Sequence, residues 1–398
     1  MKVLIYLRAD ELAPCGGPLG VGFYYNEEIK KNNNSNIQFL PAKRINDTRN
    51  TAKKYVKKLP KSLYRLQHDL REIFFLKKLF RGRVKPAHDI DLNEYDIIHF
   101  HEAKDLFIEK NRLKNYRGKI IFQSHTPLPS GMEKCSDYSK LYSIFIRDLK
   151  NKMLSVDRYA FLSADYIVFP CPEAEEPYID NWREYKRIKE EKASSFRYVL
   201  TGIKPCYAKR TPIDVREELN ISLSNFIISY VGRHNYVKGY DKFKKIGLRF
   251  INENENNWVV VAGRPGLINS PQNNRWIEIG WTNDAHSYIA SSDLFVLPNR
   301  VTYFDLVMLE VLSLGVIVVA SRTGGNKFFE RENVPGVFLY NTEDDAILLI
   351  NKINNMSLEE RKVLGNKNKE FFLKHLTLDC MYNQYIKLLD QIYRDCNA

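Results

Sequence analysis

Long apolar segments and paired cysteines are both absent from this 398-residue sequence. No stretch approaches the roughly 20 apolar residues that a membrane-spanning helix requires. The six cysteines are scattered, with no Cys-x-x-Cys pair and no metal-ligand spacing, at positions 15, 135, 171, 206, 380 and 396. These absences argue against an integral membrane protein, a disulfide scaffold and a zinc module, and they favour reduced thiols in a cytoplasmic protein.

The N-terminal segment MKVLIYLRADELAPCGG also lacks the long apolar core of a signal peptide. Its apolar run is short and is interrupted by Arg8 and Asp10, so we interpret it as a first β-strand. A glycine-rich loop, CGGPLGVGFYY, follows this strand. Such a loop can present backbone N–H groups to a phosphate at the N-terminus of a helix.

Acidic residues are scarce in one part of the chain, residues 42–85. Fifteen Lys and Arg side chains there accompany only three acidic ones, so a charge of +12 out of the net +13 lies in this segment. Leu66, Leu70, Ile73 and Phe74 follow helical spacing, which predicts a basic amphipathic helix. The helix can lie on an anionic membrane surface or pack its apolar stripe on its own domain, and both interpretations stay open. No aromatic stacking platform accompanies the charge, so no nucleic-acid partner is expected.

Short apolar segments alternate with helical ones along the chain, as in KVLIYLR, YDIIHFH, GKIIFQSH, FIISYVGR, DLFVLPN and VIVVAS. Apolar runs without polar alternation are typical of parallel strands covered on both faces, so the pattern predicts an α/β protein. The pattern restarts at Phe226, which predicts two Rossmann-like, doubly wound domains with a ligand site at the carboxyl ends of their strands. The predicted division is 1–205 for an N-terminal domain, 206–375 for a C-terminal domain and 376–398 for a helix that packs back toward the first.

Two cations follow the strand FIISYVGR. Arg233 ends this segment after Gly232, and Lys238 stands five residues further on. A guanidinium and an ammonium at the mouth of one strand suit a diphosphate, because the first offers a fork of donors and the second a point charge.

Two carboxylates stand in the apolar stretch YFDLVMLEVLSLG. Asp305 lies at or beside the predicted N-cap of a helix, where a carboxylate accepts backbone N–H groups. Glu310 lies inside this apolar helix, so we expect it to be buried and therefore paired or hydrogen-bonded. Its partner can be a vicinal diol such as that of a ribose, or an arginine of the core. The next strand leads into Thr323-Gly324-Gly325-Asn326, a loop with backbone N–H groups suited to anion contact.

In their order and spacing these segments resemble glycosyltransferase family 4. The resemblance is carried by Gly232-Arg233, Lys238-Gly239, AGRPG, SDLFVLP, the Leu309-Glu310 segment and Gly324-Gly325. The family consists of retaining enzymes of the GT-B fold that use nucleotide-sugar donors. The resemblance therefore implies two Rossmann-like domains, an N-terminal one that binds the acceptor and a C-terminal one that binds the nucleotide-sugar.

The resemblance also implies roles for individual residues. Arg233 and Lys238 would hold the donor diphosphate, and Glu310 would hold the ribose. Gly16 and Gly17 would contact the diphosphate from the N-terminal half. His125 matches the family histidine that lies beside the donor sugar. Further candidates for the cleft are His101, Arg264, Gly324, Gly325 and Asn326.

The sequence departs from the family at one important position. The family usually has a second Glu eight positions before Glu310, and this chain has Thr302 there. Asp305 stands where the family commonly has Gly. Two alternatives stay open: Asp305 supplies the missing carboxylate from a shifted position, or Thr302 contacts the sugar as a neutral group.

No metal and no separate cofactor are expected. The histidines lack paired ligand spacing, and the Asp89-Ile90-Asp91 segment precedes its strand instead of following one. The co-substrate is expected to be a nucleotide-sugar, with UDP as the nucleotide.

The expected function is that of a retaining hexosyltransferase. It would move a hexose or N-acetylhexosamine from a UDP-sugar to a glycan or lipid-linked acceptor in bacterial surface polysaccharide or glycoconjugate synthesis. The expected location is the cytoplasm, with a peripheral position on the inner face of the cell membrane. The alternative function is a catalytically weakened partner subunit of the same fold, and an epimerase or phosphorylase on this fold is a third interpretation.

Overall fold

The computed structural model describes residues 1–7, 12, 18–40, 61–86, 90–132, 143–266 and 268–397. Several residues singled out in the sequence lie outside this part of the chain, namely Gly16, Gly17, Asp89 and the range 42–60. The side chain of Leu66 also lies outside it. The chain divides into two compact units, and each has its own parallel sheet.

The first unit comprises Met1–Phe169, Asn181–Arg197 and Ile386–Ala398. Its strands run in the order β2-β1-β3-β4-β5-β6, which makes six strands within the described residues. Their bounds are β1 Val3–Tyr6, β2 Ile37–Phe39, β3 Ile97–Phe100, β4 Lys119–Gln123, β5 Tyr166–Phe169 and β6 Phe196–Tyr198. The helices associated with these strands are α1 Pro18–Lys31, α2 Lys61–Phe80, α3 Ala103–Glu109, α4 Ser143–Ser163 and α6 Tyr185–Glu191, whereas α5 Glu176–Asn181 lies, except for its last residue, in the second unit.

The second unit comprises Pro170–Asp180 and Tyr198–Tyr385. Its strands run in the order β12-β11-β10-β7-β8-β9, again six within the described residues. Their bounds are β7 Phe226–Val231, β8 Asn257–Ala262, β9 Trp276–Gly280, β10 Leu294–Leu297, β11 Ile317–Ser321 and β12 Val337–Tyr340. The helices are α7 Pro212–Glu218, α8 Tyr240–Glu253, α9 Ala285–Ala290, α10 Leu306–Ser313, α11 Asn326–Arg331, α12 Glu343–Asn354, α13 Leu358–His375 and α14 Leu378–Asn397.

These units confirm the predicted fold class. The predicted domain boundaries at 205 and 375 differ from the boundaries of the two compact units. Residues 170–180 and 198–205 were assigned to the N-terminal domain, but they pack with the second unit. The last turns of α14, from residue 386 onward, pack with the first unit. Among the described helices, none is both long enough and apolar enough to cross a membrane.

Strand β7 shows why its apolar run folds as a central parallel strand. Phe226, Ile228 and Tyr230 pack on one face of the sheet with residues of α8 and α12. Ile227 packs on the other face with Val215 and Tyr288. Because both faces are covered, the strand has no polar alternation. Burial of an aromatic or large aliphatic side chain stabilises the fold by about 1.5–3 kcal/mol, so this strand is a main source of the second unit's stability.

The basic segment forms a helix where it is described. In α2, Leu76 and Leu79 are buried, whereas Leu70 and Phe74 are 51% and 62% exposed. The helix therefore packs part of its apolar stripe on the first unit and leaves another apolar pair in solvent.

The order of strands in the second sheet places a switch point between β7 and β10. The chain leaves β7 toward β8 on one side, and β10 joins β7 on the other side. In doubly wound sheets, ligands bind outside the carboxyl ends of the strands at such a point. A ligand site is therefore expected at the loops that follow β7 and β10.

A glycine allows these two loops to approach each other. Gly239 has a φ of +66°, and a Cβ added there would lie 1.8 Å from the Pro298 carbonyl oxygen. Arg300 N also donates to the Val237 carbonyl at 3.0 Å. A side chain at position 239 would push the β7 loop away from the β10 loop.

We predict that Gly239→Ala destabilises the protein much more than Gly280→Ala. Gly280 also has a positive φ, +74°, but a Cβ there would have nothing within 4 Å. Both variants incur the left-handed backbone cost of about 1–2 kcal/mol, whereas only Gly239→Ala adds a steric cost of about 1–3 kcal/mol. Thermal unfolding of the two variants measures the difference. Equal melting temperatures would show that the two loops are not in close contact.

Candidate functional site

The β7 loop carries an exposed cation, Arg233. Within the described part of the chain, the Arg233 guanidinium makes no ion pair and no hydrogen bond to another side chain. Its backbone is fixed, since the Tyr230 hydroxyl donates to the Arg233 carbonyl at 2.9 Å. Arg233 is therefore a positioned cation that is available to an anion.

The backbone around Arg233 packs closely at three strand ends. Gly263, which follows β8, has a φ of +148°, and a Cβ there would lie 1.9 Å from the Gly232 carbonyl oxygen. Gly263 N donates to the Gly280 carbonyl at 2.8 Å. Only glycine fits at position 263, which explains the first glycine of the AGRPG segment.

Lys238 lies on the same loop but pairs with a carboxylate. Its Nζ is 2.5 Å from Asp305 Oδ2, and Asn299 Nδ2 donates to the same oxygen at 2.6 Å. The other oxygen, Oδ1, accepts the Val307 N–H at 3.3 Å, so Asp305 is the N-cap of α10. The sequence pattern suggested a free ammonium at Lys238; the structure pairs it because β7 and β10 end side by side.

The surroundings of Asp305 favour its charged form. Burial alone would raise the pKa of this carboxyl group. The Lys238 ammonium, the hydrogen bonds from Lys238 and Asn299 and the Val307 N–H outweigh burial and hold the pKa below its usual value. Asp305 thus acts here as a cap and an ion-pair partner, and its contact with a sugar stays a prediction.

Glu310 differs from the sequence-based expectation of full burial. Its side chain is 30% exposed, because α10 buries Leu309 and Val311 but turns Glu310 toward the rim of the unit. Its partner is His286, whose Nε2 lies 3.6 Å from Glu310 Oε2. The sequence analysis missed His286, which stands in no motif and precedes its strand by several residues. Glu310 remains accessible to a ligand.

Thr302 is buried, and its hydroxyl has no hydrogen-bond partner among the described residues. Its carbonyl accepts the Gly325 N–H at 3.3 Å, and a Cβ at Gly324 would lie 1.9 Å from the same oxygen. The β10 loop and the β11 loop are thus in direct contact at this position. The role of Thr302 toward a donor sugar stays a prediction.

The loop at Gly324 already binds an anion from its own unit. The Gly324 N–H donates to Glu176 Oε1 at 3.2 Å, and the Lys327 ammonium contacts the other Glu176 oxygen. The sequence predicted that the backbone N–H groups of the loop 323–326 are free to bind a ligand. It did not indicate that Glu176 accepts the Gly324 N–H. Asn326 is buried, and its Nδ2 donates to the Ser321 carbonyl at 2.9 Å.

Arg264 is exposed after β8. Its guanidinium carbon lies 5.7 Å from the ring centroid of Trp281, which is itself 64% exposed. This pair forms a cation–π contact at the same end of the sheet as Arg233.

Three imidazoles lie together in the first unit, at the ends of β3 and β4. His101 Nδ1 is 2.7 Å from His125 Nε2, and the rings of His99 and His101 are 4.1 Å apart. Burial lowers the pKa of His99 and of His125 to about 3 and lowers the pKa of His101 well below its usual value. At neutral pH these rings are uncharged, so they suit hydroxyl groups rather than phosphates.

A cavity of about 190 Å³ borders His101 and His125 within this unit. Its other walls are largely apolar and include Leu76, Leu79, Phe122, Met153 and Val156. In the described part of the chain, no group of three or more His, Cys, Asp or Glu side chains is placed to hold a metal ion.

We predict that Asp305→Asn lowers stability at neutral pH by about 1–3 kcal/mol, because it removes a charge-assisted hydrogen bond but keeps a residue able to cap a helix. The folded pKa of Asp305 is below its unfolded value of about 3.9. Its contribution is therefore complete above that pH and is lost as the pH falls through the folded pKa. The difference in melting temperature between wild type and variant should narrow below about pH 4. Exposed Asp180→Asn is the control, and a pH-independent difference would contradict the assignment.

Comparison with known proteins gives a family match within the second unit. The family model for glycosyl transferases group 1 matches residues 213–371, which contain the β7 and β10 loops. A curated relative is the UDP-Gal:alpha-D-GlcNAc-diphosphoundecaprenol alpha-1,3-galactosyltransferase of Escherichia coli. It is 26% identical over 150 residues, or 34% of this chain and 38% of that protein. The chain spans less than half of the length of the curated relatives that it matches.

Solved structures give the fold over nearly the whole chain. The sucrose-phosphate synthase of Thermosynechococcus elongatus superposes with a TM-score of 0.64 at 16% identity, covering 99% of both chains. Anabaena HepE, in complex with UDP, superposes with a TM-score of 0.61 at 15% identity, covering 98% of this chain and all of the other. The chain has the GT-B fold, and its residues 213–371 match the glycosyl transferases group 1 family, the glycosyltransferase family 4 that its motifs resemble.

Proposed function

We propose that this protein is a retaining glycosyltransferase that moves a hexose or N-acetylhexosamine from a UDP-sugar to a glycan or lipid-linked acceptor. The observation that carries the proposal is the unpaired Arg233 cation beside the Lys238–Asp305 pair at the switch point of the second sheet. An anionic ligand at this point would complete the pairing of charges.

The cations suit the chemistry of a departing diphosphate. Negative charge grows on the diphosphate as the bond to the sugar breaks, and cations held in place stabilise that charge without reorganising. Arg233 can offer two parallel donors to the phosphate oxygens. Lys238 has three N–H donors, so it can keep its bond to Asp305 and still reach a phosphate. Asp305 thereby fixes where the ammonium points.

The nucleoside end of the donor would be held by Glu310. A carboxylate has about four lone-pair directions, so it can accept both hydroxyls of a ribose. In the first unit, the neutral His125 and His101 can exchange hydrogen bonds with sugar hydroxyls. Gly16 and Gly17 keep their predicted role toward the diphosphate. No protein nucleophile is assigned, and retention of anomeric configuration is what the family resemblance implies.

The ligands and substrates of similar proteins support the choice of donor and acceptor. Structures of Anabaena HepE are complexes with UDP and with UDP-glucose. The Escherichia coli relative uses UDP-Gal and an acceptor linked to diphosphoundecaprenol. A further solved structure of this fold, WaaG, is a glycosyltransferase involved in lipopolysaccharide biosynthesis. The acceptor of the Escherichia coli relative and the role of WaaG favour surface polysaccharide or glycoconjugate synthesis for this chain as well.

A membrane-proximal acceptor agrees with the surface of α2. Phe74 and Leu70 are exposed next to the exposed Lys77 and Lys78, and the Lys78 ammonium lies 5.0 Å from the ring centroid of Phe74. Apolar side chains flanked by lysines are typical of helices that lie in the interface of anionic membranes. We therefore propose peripheral attachment to the inner face of the cell membrane through this helix.

The second candidate function is a partner subunit of a glycosylation complex with weakened catalysis. Thr302, in the place of the family Glu, favours it, because its buried hydroxyl cannot carry a charge. Glu310 and the free Arg233 favour the enzyme, because a scaffold does not require them. Nucleotide binding without turnover of any donor would distinguish this candidate.

We predict that UDP raises the melting temperature of the wild type and that Arg233→Ala weakens UDP binding by about tenfold to a thousandfold, as for the loss of one partner of a charge pair. The same variant should leave the affinity for uridine, which has no phosphate, unchanged. Glu310→Ala should abolish transfer and donor hydrolysis. Arg249→Ala, an exposed arginine of α8 paired with Asp344, is the control. If UDP, GDP and ADP all fail to stabilise the wild type, the proposed function is wrong.

We predict that the paired substitution Lys77→Glu and Lys78→Glu reduces binding to vesicles with an anionic phospholipid by about thirtyfold, since each lysine near the surface contributes about 1 kcal/mol. Binding of the wild type should also fall as salt is added. Lys367→Glu with Lys369→Glu on α13 makes the same change of net charge on another exposed surface. Equal losses in the two paired variants would show that net charge, and not α2, drives binding.

A further inference from the structure

His286 is the one partner that the structure gives to the Glu310 side chain among the described residues. It lies in the first turn of α9, and its Nε2 is 3.6 Å from Glu310 Oε2. The side chains are 35% and 30% exposed, so the pair lies at the surface of the unit, within reach of a ligand. His286 therefore lies next to the carboxylate that is proposed to bind the ribose.

The environment of His286 makes it a cation at neutral pH. The Cys206 side chain, and then the Glu310 carboxylate, raise the pKa of His286 to about 10, although partial burial opposes them. The Cys206 backbone N–H donates to Ser313 Oγ at 2.8 Å, which attaches the Cys206 backbone to the last turn of α10. The residue that acts most on the charge of His286 is thus anchored to the helix that carries Glu310.

The first turn of α9 is held firmly. Ser287 Oγ accepts the backbone N–H groups of Lys209 and Arg210 at 2.9 and 3.1 Å and donates to Asp284 at 2.7 Å. Arg210 Nε in turn lies 2.8 Å from Asp284. These bonds fix the backbone that carries His286, so the imidazolium reaches Glu310 from a constant direction.

Stability does not account for this pair. Ion pairs that are about a third exposed contribute roughly 0–1 kcal/mol, because solvent screens them and both side chains lose rotamer freedom. A carboxylate that must receive a ligand, in contrast, benefits from being held in one rotamer before the ligand arrives.

We propose that His286 is a positioning residue for nucleotide recognition: it holds one oxygen of Glu310 and leaves the other oxygen directed at the two ribose hydroxyls. The proposal rests on the proposed function, in which Glu310 binds the ribose. His286 does not touch the nucleotide. Its effect should therefore be seen only with ligands that have the hydroxyls to which Glu310 binds.

The test compares UDP with 2′,3′-dideoxy-UDP by calorimetric titration. Wild type should bind UDP more tightly than the dideoxy analogue. His286→Gln should weaken UDP binding by about fivefold, within the usual range for coupled neighbours, and leave binding of the dideoxy analogue unchanged. His286→Arg, which keeps the charge, should restore UDP affinity to within about twofold of wild type. His375→Gln, a histidine elsewhere in the second unit, is the control.

The outcomes separate the two proposals. If the wild type binds none of UDP, GDP and ADP, the proposed function is wrong, and so is the role of His286. If the wild type binds UDP and its dideoxy analogue equally, the ribose role of Glu310 is wrong. If His286→Gln weakens both ligands equally, or neither, His286 has a structural role only. Melting temperatures confirm that each variant is folded, and His286→Asn is a second uncharged replacement.

Discussion

The ion pair between Lys238 and Asp305 joins the two strand ends on which the candidate site depends. Lys238 comes from the loop after β7 and Asp305 from the loop after β10, and the two strands are neighbours in the sheet. Parallel strands bring their carboxyl ends to the same edge, so opposite charges from distant parts of the sequence meet there. Asp305 is also the N-cap of α10, so the ion pair connects the start of that helix to the β7 loop.

The acidic side chains around this edge have internal partners. Asp305 is paired with Lys238, Glu310 with His286, and Glu176 with Lys327 and the Gly324 N–H. Arg233 differs from the cations in these pairs, since no anion of the described residues neutralises it. Arg233, an exposed cation held by its backbone, is the electrostatic reason to expect an anionic ligand.

The two units offer different chemistry. The second unit presents charged groups, whereas the first presents neutral imidazoles beside an apolar cavity. Charged groups suit a diphosphate, and neutral rings with apolar neighbours suit hydroxyl-bearing or partly apolar groups. This division agrees with a nucleotide end and a sugar or acceptor end of the reaction. The exposed Phe74 on α2 adds an apolar, basic surface to the first unit.

The sequence alone determined the α/β class, the two parallel sheets and the resemblance of the second unit to glycosyltransferase family 4. Buried strands of the β7 type need apolar residues at every position, and the glycines at 239 and 263 mark places where a neighbouring backbone leaves no room for a Cβ. These requirements involve residues that are close in the sequence, so the sequence pattern is enough to predict them. The N-cap at Asp305 is local as well, and the sequence predicted it.

Only the tertiary structure decided which charges are paired. His286 lies 24 residues before Glu310, and Glu176 lies 148 residues before Gly324, so no spacing rule connects them. Burial of Glu310 was predicted from its apolar neighbours in sequence, but the packing of α10 buries those neighbours and leaves the Glu310 side chain 30% exposed. Ionic contacts depend on which surfaces the packed helices bring together. Local pattern cannot supply that information, because electrostatic partners are chosen by distance in space.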